Sequence, residues 1–232
     1  MKKIFIVLFI SLLTLSSVSM AQDDNYPATA SGSTALLFEF NGFDNLRANN
    51  FEGGMGAKMY FTRNLALRGS LQFAHANVDI PANPPAGQTG TDGSQSGTTF
   101  GLSVAVEYHL AQRRVSPYIG GGASFSSTST ESETATIGNT PQVTVKNRFG
   151  GENVNGQTFT AGTEFGIFAL AGAEFFLFRE LSLSAEYRLG FSSLSQKDQE
   201  ATVGNTTSTT TGGSATGFGI TSQGVFTLAF YF

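Results

Sequence analysis

The sequence predicts an all-β fold, an eight-stranded antiparallel up-and-down transmembrane β-barrel, and three observations predict it. The first is the stretch 160–191, where two alternating runs meet at Arg179-Glu180. After that turn Leu181, Leu183, Ala185, Tyr187, Leu189 and Phe191 fall on one face, and Ser182, Ser184, Glu186, Arg188 and Gly190 on the other. Before it, Ile167, Ala169, Ala171, Ala173, Phe175 and Leu177 alternate with Gly166, Phe168, Leu170, Gly172, Glu174 and Phe176. A period of two is a strand pattern, and so short a turn makes the pair an antiparallel hairpin. Each run is about ten residues, longer than the common strand of about 5–6 and matched to the roughly 9–11 that a tilted strand needs to cross a bilayer. The second observation is that tight turns and long polar loops alternate along the chain. The third is that no apolar run after the N-terminal leader could form a membrane helix, so a membrane-resident chain must cross as a closed barrel.

The leader itself carries Lys2 and Lys3, an apolar stretch from Ile4 to Leu15, and the small-x-small site Ser19-Met20-Ala21. That pattern is a secretory signal peptide over residues 1–21, too short to anchor as a helix of roughly 18 residues. No Cys follows the cleavage site, so the chain is not expected to be a lipoprotein. Residues 22–32 form a polar N-terminal lead-in, and 33–232 the barrel. The chain has no Cys but 22 Phe and 28 Gly, which excludes a disulfide framework and thiol chemistry. A net charge of −4 gives nucleic-acid binding no electrostatic basis.

The strands follow in order. Residues 33–41 place Leu36, Phe38 and Phe40 opposite Leu37, Glu39 and Asn41; residues 51–61 place Met55, Ala57, Met59 and Phe61 opposite Glu52, Lys58 and Tyr60. Thr62-Arg63-Asn64 is a tight turn into a third strand, with Leu65, Leu67, Leu71 and Phe73 against Ala66, Arg68, Ser70 and Gln72. Residues 77–97, rich in Pro, Gly, Ser and Thr, read as a loop. Residues 98–110 form the fourth strand, Gln112-Arg113-Arg114 a turn, and 115–125 the fifth strand, with Pro117 near its start where a missing amide is tolerated. Residues 126–156 are a second long loop, with 142–146 a candidate strand extension inside it. The hairpin 160–191 supplies strands six and seven, 192–213 a third loop, and 215–232 the eighth strand, with Phe218, Ile220, Phe226, Leu228, Phe230 and Phe232 on one face.

Short turns on one side and long loops on the other are the topology of outer-membrane barrels, with the turns periplasmic. Tyr60, Phe61, Tyr108, Phe175, Phe176, Phe178, Phe230, Tyr231 and Phe232 all fall at the turn ends and read as an interfacial girdle. Alternation alone does not say which face is inside, since a soluble barrel has the same period with apolar residues lining a cavity. The polar face is built from Gly, Ser, Ala and a few charges, small enough for a narrow lumen, whereas the apolar face is rich in Phe and Leu. The expectation is therefore apolar outward, toward lipid.

Gly172-Ala173-Glu174 followed by residues 181–188 (LSLSAEYR), together with Pro117-Tyr118-Ile119-Gly120-Gly121-Gly122, resembles the eight-stranded outer-membrane barrels of the OmpA-like and OmpX-like family. The resemblance covers the whole mature chain and implies residence in the cell outer membrane. It also implies that Phe232, with Phe230 on the same alternating strand, acts as the C-terminal signal read by the outer-membrane assembly machinery. A peptidoglycan-binding domain of the full OmpA type is not expected.

With the polar face inward, Glu39, Glu52, Lys58, Arg68, Glu107, Glu164, Glu174, Glu186 and Arg188 enter the lumen. Lys58 and Arg68 flank one turn symmetrically and should sit opposite each other, which is tolerable only with carboxylates interleaved. Glu107, on the strand after Arg68, is well placed for this, Glu174 and Glu186 reach a similar level across the barrel, and with Arg188 they complete a lumen charge network. Its two readings are a plug that fills the lumen and an ion path. The plug is preferred because small barrels are filled by side chains. Barrel hydrolases need a His clustered with a Ser nucleophile. Only His75 and His109 exist, at opposite ends of their strands with no Ser at the same-face spacing, so both read as rim or girdle residues and no enzyme is expected. The Gly pairs and triplets lack the Lys-Ser/Thr of a phosphate loop, and neither cofactor nor metal is expected. The functional expectation is a monomeric outer-membrane barrel with a structural or surface-interaction role. Its partners would be outer-membrane lipid, the assembly machinery and a surface ligand of the long loops. The alternatives are a narrow channel for small solutes and a soluble periplasmic ligand-binding barrel.

Overall fold

Strands whose two faces differ in chemistry must curl until each face meets its own surroundings, and a closed ring also leaves no unpaired edge. The structure, a computed structural model, describes residues 29–41, 46–47, 50–51, 53–220 and 225–232. The signal peptide read at residues 1–21, most of the lead-in and Glu52 lie outside the described residues. Eight strands form the ring: β1 (Thr34–Asn41), β2 (Gly53–Tyr60), β3 (Leu65–Ile80), β4 (Gly93–His109), β5 (Val115–Glu133), β6 (Gly162–Phe178), β7 (Leu181–Gln196) and β8 (Val225–Tyr231). Each pairs antiparallel with the next in sequence, β5 with β6 included. β8 then pairs with β1, from Ala35 opposite Tyr231 to Asn41 opposite Val225, and closes the ring. Above β8, Ser214–Ile220 continues the eighth stave along β7.

The apolar face is outward. Met55, Phe73, Leu102, Val106, Ile167 and Tyr187 are exposed, whereas Glu39, Lys58, Arg68, Glu107, Glu174 and Glu186 are buried inside. A soluble ligand-binding barrel requires the reverse, so that alternative is overturned. Close packing of the wall uses glycine where strands approach: a Cβ on Gly120 or Gly122 of β5 would lie 2.1–2.2 Å from a carbonyl oxygen of β4.

The loop side departs from the sequence reading. Residues 77–97, 126–156 and 192–213 are not simple loops, because β3 to β7 run for 16–19 residues each. That is well beyond the roughly 9–11 a crossing needs, so these staves rise above the bilayer. Out there neither face touches lipid, and alternation of apolar and polar residues vanishes while the β-preference of Thr and the backbone ladder persist. β5 stays with β6 as far as Thr128 opposite Gly162, then at Glu131–Glu133 it takes Val143–Lys146 as its partner instead. That segment pairs with Gln199–Val203, which pairs with Thr206–Thr210.

One short hairpin turns inward rather than outward. Glu152–Val154 pairs with Gln157–Phe159 around Asn155-Gly156, whose φ angles of 53° and 85° suit the two-residue turn that favours Asn-Gly. Val154 and Phe159 bury against Ala76, with Ala74 and Val78 alongside, all on the inner face of β3. On β4, Gly97 has no room for a Cβ, which would lie 2.4 Å from the Phe159 ring.

Candidate functional site

The ladder dictates the site. Lys58 of β2 pairs directly with Arg68 of β3, and both side chains point into the lumen. Two cations side by side in a narrow space require carboxylates, and four of the other staves supply them. Lys58 Nζ lies 2.9 Å from Glu107 Oε2 on β4 and 3.1 Å from Glu174 Oε2 on β6. Arg68 binds Glu186 of β7 through both terminal nitrogens, each at 2.9 Å, the fork geometry that makes such pairs strong. It also reaches Glu107 Oε1 at 3.0 Å and Glu39 Oε1 of β1 at 3.6 Å. Arg188 Nη2 is 2.7 Å from Glu186 Oε1, and its guanidinium lies over Phe168. The six expected lumen charges thus meet in one cluster with Glu39, and Lys58, Arg68 and the carboxylates are at most 3% exposed. Glu164 stands half-buried higher on β6, apart from it.

Neutral donors add to the coordination of Glu39, Glu174 and Glu186. Tyr231 donates to Glu174 Oε1 at 2.5 Å, and Ser182 donates to the same oxygen. Tyr118 donates to Glu186 Oε2 at 3.0 Å and Ser70 to Glu39 Oε1 at 2.7 Å. None of these four is prominent in the sequence, yet each shares the parity of a charged residue on its own or a neighbouring strand.

Three expected girdle residues are lumen residues instead. Tyr60, Phe176 and Tyr231 are buried in a cluster with Ala35, Leu37, Ala66 and Ala229 at the turn end of the barrel. Position along the strand places them at the interface, but parity decides their direction: Tyr60 shares the face of Lys58, and Phe176 that of Glu174. Phe61, Tyr108 and Phe232 do point outward, at 49%, 49% and 83% exposure, and Phe230 is half-buried against Phe38.

His109 is likewise not at the rim. It is buried, with Nε2 3.0 Å from the Tyr60 hydroxyl and Nδ1 2.8 Å from Ser116 Oγ. Glu107 Oε2 lies 3.4 Å from Nε2, so a Ser–His–Glu sequence of contacts exists where none was expected. Its geometry is structural. Ser116 is 1% exposed and donates its hydroxyl to the Ala111 carbonyl at 2.6 Å, which leaves no path for a substrate to its oxygen. His75 is remote, exposed on the outer part of β3 and paired with Thr98 Oγ1 at 2.9 Å.

Among solved structures, Ail, the attachment invasion locus protein of Yersinia pestis, is similar at 11% identity and a TM-score of 0.36, covering 87% of this chain and 99% of Ail. No curated protein matches the chain. The family model of the outer membrane protein β-barrel domain matches residues 6–221. The chain belongs to that family of outer-membrane β-barrels, and its place is the outer membrane.

Proposed function

We propose that the protein is a monomeric outer-membrane barrel with a structural or surface-interaction role, whose lumen is plugged by its own side chains and conducts no solute. The observation that carries this reading is the bridging of Lys58 and Arg68 to Glu107, Glu174 and Glu186 on three other staves, at 2.9–3.1 Å. An ion crossing the lumen would have to separate charge pairs held in a low-dielectric space, at a cost of several kcal/mol. The barrel unit is residues 33–232, released from a signal peptide at 1–21, and its client partners are lipid and the assembly machinery that reads Phe230 and Phe232. The outer staves, rich in Ser and Thr, are the surface a ligand would meet. Burial of Ser116 supports a non-enzymatic role.

Planar-bilayer recording tests the plug. The wild-type barrel should give no stable conductance step, and the Lys58→Met/Arg68→Met pair should give fluctuating steps as the cluster loosens. Discrete wild-type steps that vanish on exchanging either cation would instead establish a narrow channel that uses them as its ion path.

A further inference from the structure

The two ends of the barrel differ in charge. On the outer staves Glu131, Glu133, Asp198 and Glu200 outnumber the nearby Lys146, Arg148 and Lys197. The turn end is the reverse: Arg63, Arg113, Arg114 and Arg179 are all exposed, against one acidic side chain, Glu180, among the described residues. These arginines sit on three consecutive turns that are tied together. The Asn64 carbonyl accepts from the His109 N–H at 2.7 Å, Gln112 Nε2 donates to Asn64 Oδ1 at 3.3 Å, and the Arg114 carbonyl accepts from the Phe176 N–H at 2.8 Å. Neighbouring turns are two staves apart, roughly 10 Å, so the four guanidiniums follow one arc of the rim. Among the described residues none of the four has a carboxylate partner within ion-pair distance.

Their surroundings fix the depth of that arc. Phe61, exposed to lipid, lies two residues before Arg63, and Phe178 immediately precedes Arg179. The Arg114 guanidinium lies 5.1 Å from the centre of the Phe175 ring. Aromatic residues settle at the membrane–water boundary, and an arginine stacked among them holds its charge at headgroup level with its stem in the apolar layer. A guanidinium fork matches two oxygens of a phosphate.

We propose that Arg63, Arg113, Arg114 and Arg179 form a belt that binds the phosphate groups of anionic phospholipid in the periplasmic leaflet. The belt rests on the outer-membrane assignment and is independent of whether the lumen conducts. It gives the barrel a chemical preference for one leaflet, and raised salt should weaken it.

Native mass spectrometry of the wild-type barrel released from micelles containing phosphatidylglycerol or phosphatidylcholine tests it. Phosphatidylglycerol should be retained at least tenfold better. The variant R63Q/R113Q/R114Q/R179Q should lose that preference, at roughly fivefold per arginine, while K146Q/K197Q at the outer end retains it. A band that shifts on boiling verifies that each variant is folded. Should the quadruple variant fail that check, the pairs R63Q/R113Q and R114Q/R179Q carry the test, each expected to lose at least tenfold. Equal retention of the two lipids by the wild type, or undiminished preference in the arginine variants, overturns the belt. So does inorganic phosphate displacing the lipid as effectively as added phosphatidylglycerol, because the arginines would then form a free-phosphate site.

Discussion

The inner space of the barrel is occupied in two ways, and the contrast between them is instructive. Near the turn end the filling belongs to the wall: Glu39, Lys58, Arg68, Glu107, Glu174 and Glu186 each stand on a different stave, so each is anchored to its own strand of the ring. Near the outer end it is brought by a connection. The hairpin of Glu152–Val154 and Gln157–Phe159 leans in and holds on through Val154, Phe159 and the β3 alanines. Ion pairs on rigid staves fix the ring's register and cost much to disrupt. A small apolar contact made by a connecting segment can open with the ring intact, since local stability follows local burial. One end is therefore built to stay, the other to come away.

The largest effect expected from breaking this contrast is at Arg68. Arg68→Met leaves Glu186 and Glu39 buried without their main cation and should cost about 3–5 kcal/mol. Urea unfolding followed by far-ultraviolet circular dichroism measures it, the chain having no Trp. Phe159→Ala removes the hairpin's main anchor. Truncating a buried Phe costs about 3–5 kcal/mol, but here the penalty should fall on docking alone. Protease cleavage near Asn155-Gly156 should rise many-fold while the urea midpoint of the ring barely moves. If the ring midpoint falls as far as with Arg68→Met, the two fillings are one cooperative unit. Gly156→Val acts on the same hairpin more weakly: a β-branched residue at φ 85° should cost about 1–3 kcal/mol of docking, read by the same cleavage assay. The smallest effect sharpens the contrast most. Combining Arg68→Met with Phe159→Ala should give a coupling energy within about 0.5 kcal/mol of zero, as for sites that share no partner.

Why the sequence showed one filling and not the other follows from periodicity. Within the bilayer, lipid imposes apolar residues on alternate positions, so parity alone assigns Lys58, Arg68, Glu107, Glu174 and Glu186 to one face. Outside it that constraint lapses, and residues 126–133 continue β5 as Ser, Thr and Glu with nothing in their pattern to separate strand from loop. The hairpin had a visible mark in Asn155-Gly156, but its flanking strands are three residues each, too short for alternation to register. Tyr60, Phe176 and Tyr231 were misplaced for a different reason. Aromatic type and closeness to a turn suggest an interface, whereas the direction of each side chain depends on parity, which overrides type. The contact of His109 with Ser116 crosses a turn, so it depends on how β4 and β5 align rather than on spacing within one strand.

The pairing of β1 with β8 has a kinetic consequence. Every other neighbour in the ring is also a neighbour in sequence and can zip up as a hairpin, but the seam joins Ala35 to Tyr231, roughly 200 residues apart, the kind of contact that forms slowly. Until the last strand arrives the molecule is an open, curved sheet with two unsatisfied borders, each able to capture a stray strand or another nascent copy. Closure of the seam is thus expected to be the slowest pairing in the ring to form. A substitution along Leu36–Phe40 or Phe226–Phe230 should slow maturation and raise aggregation more than its effect on the finished barrel would suggest.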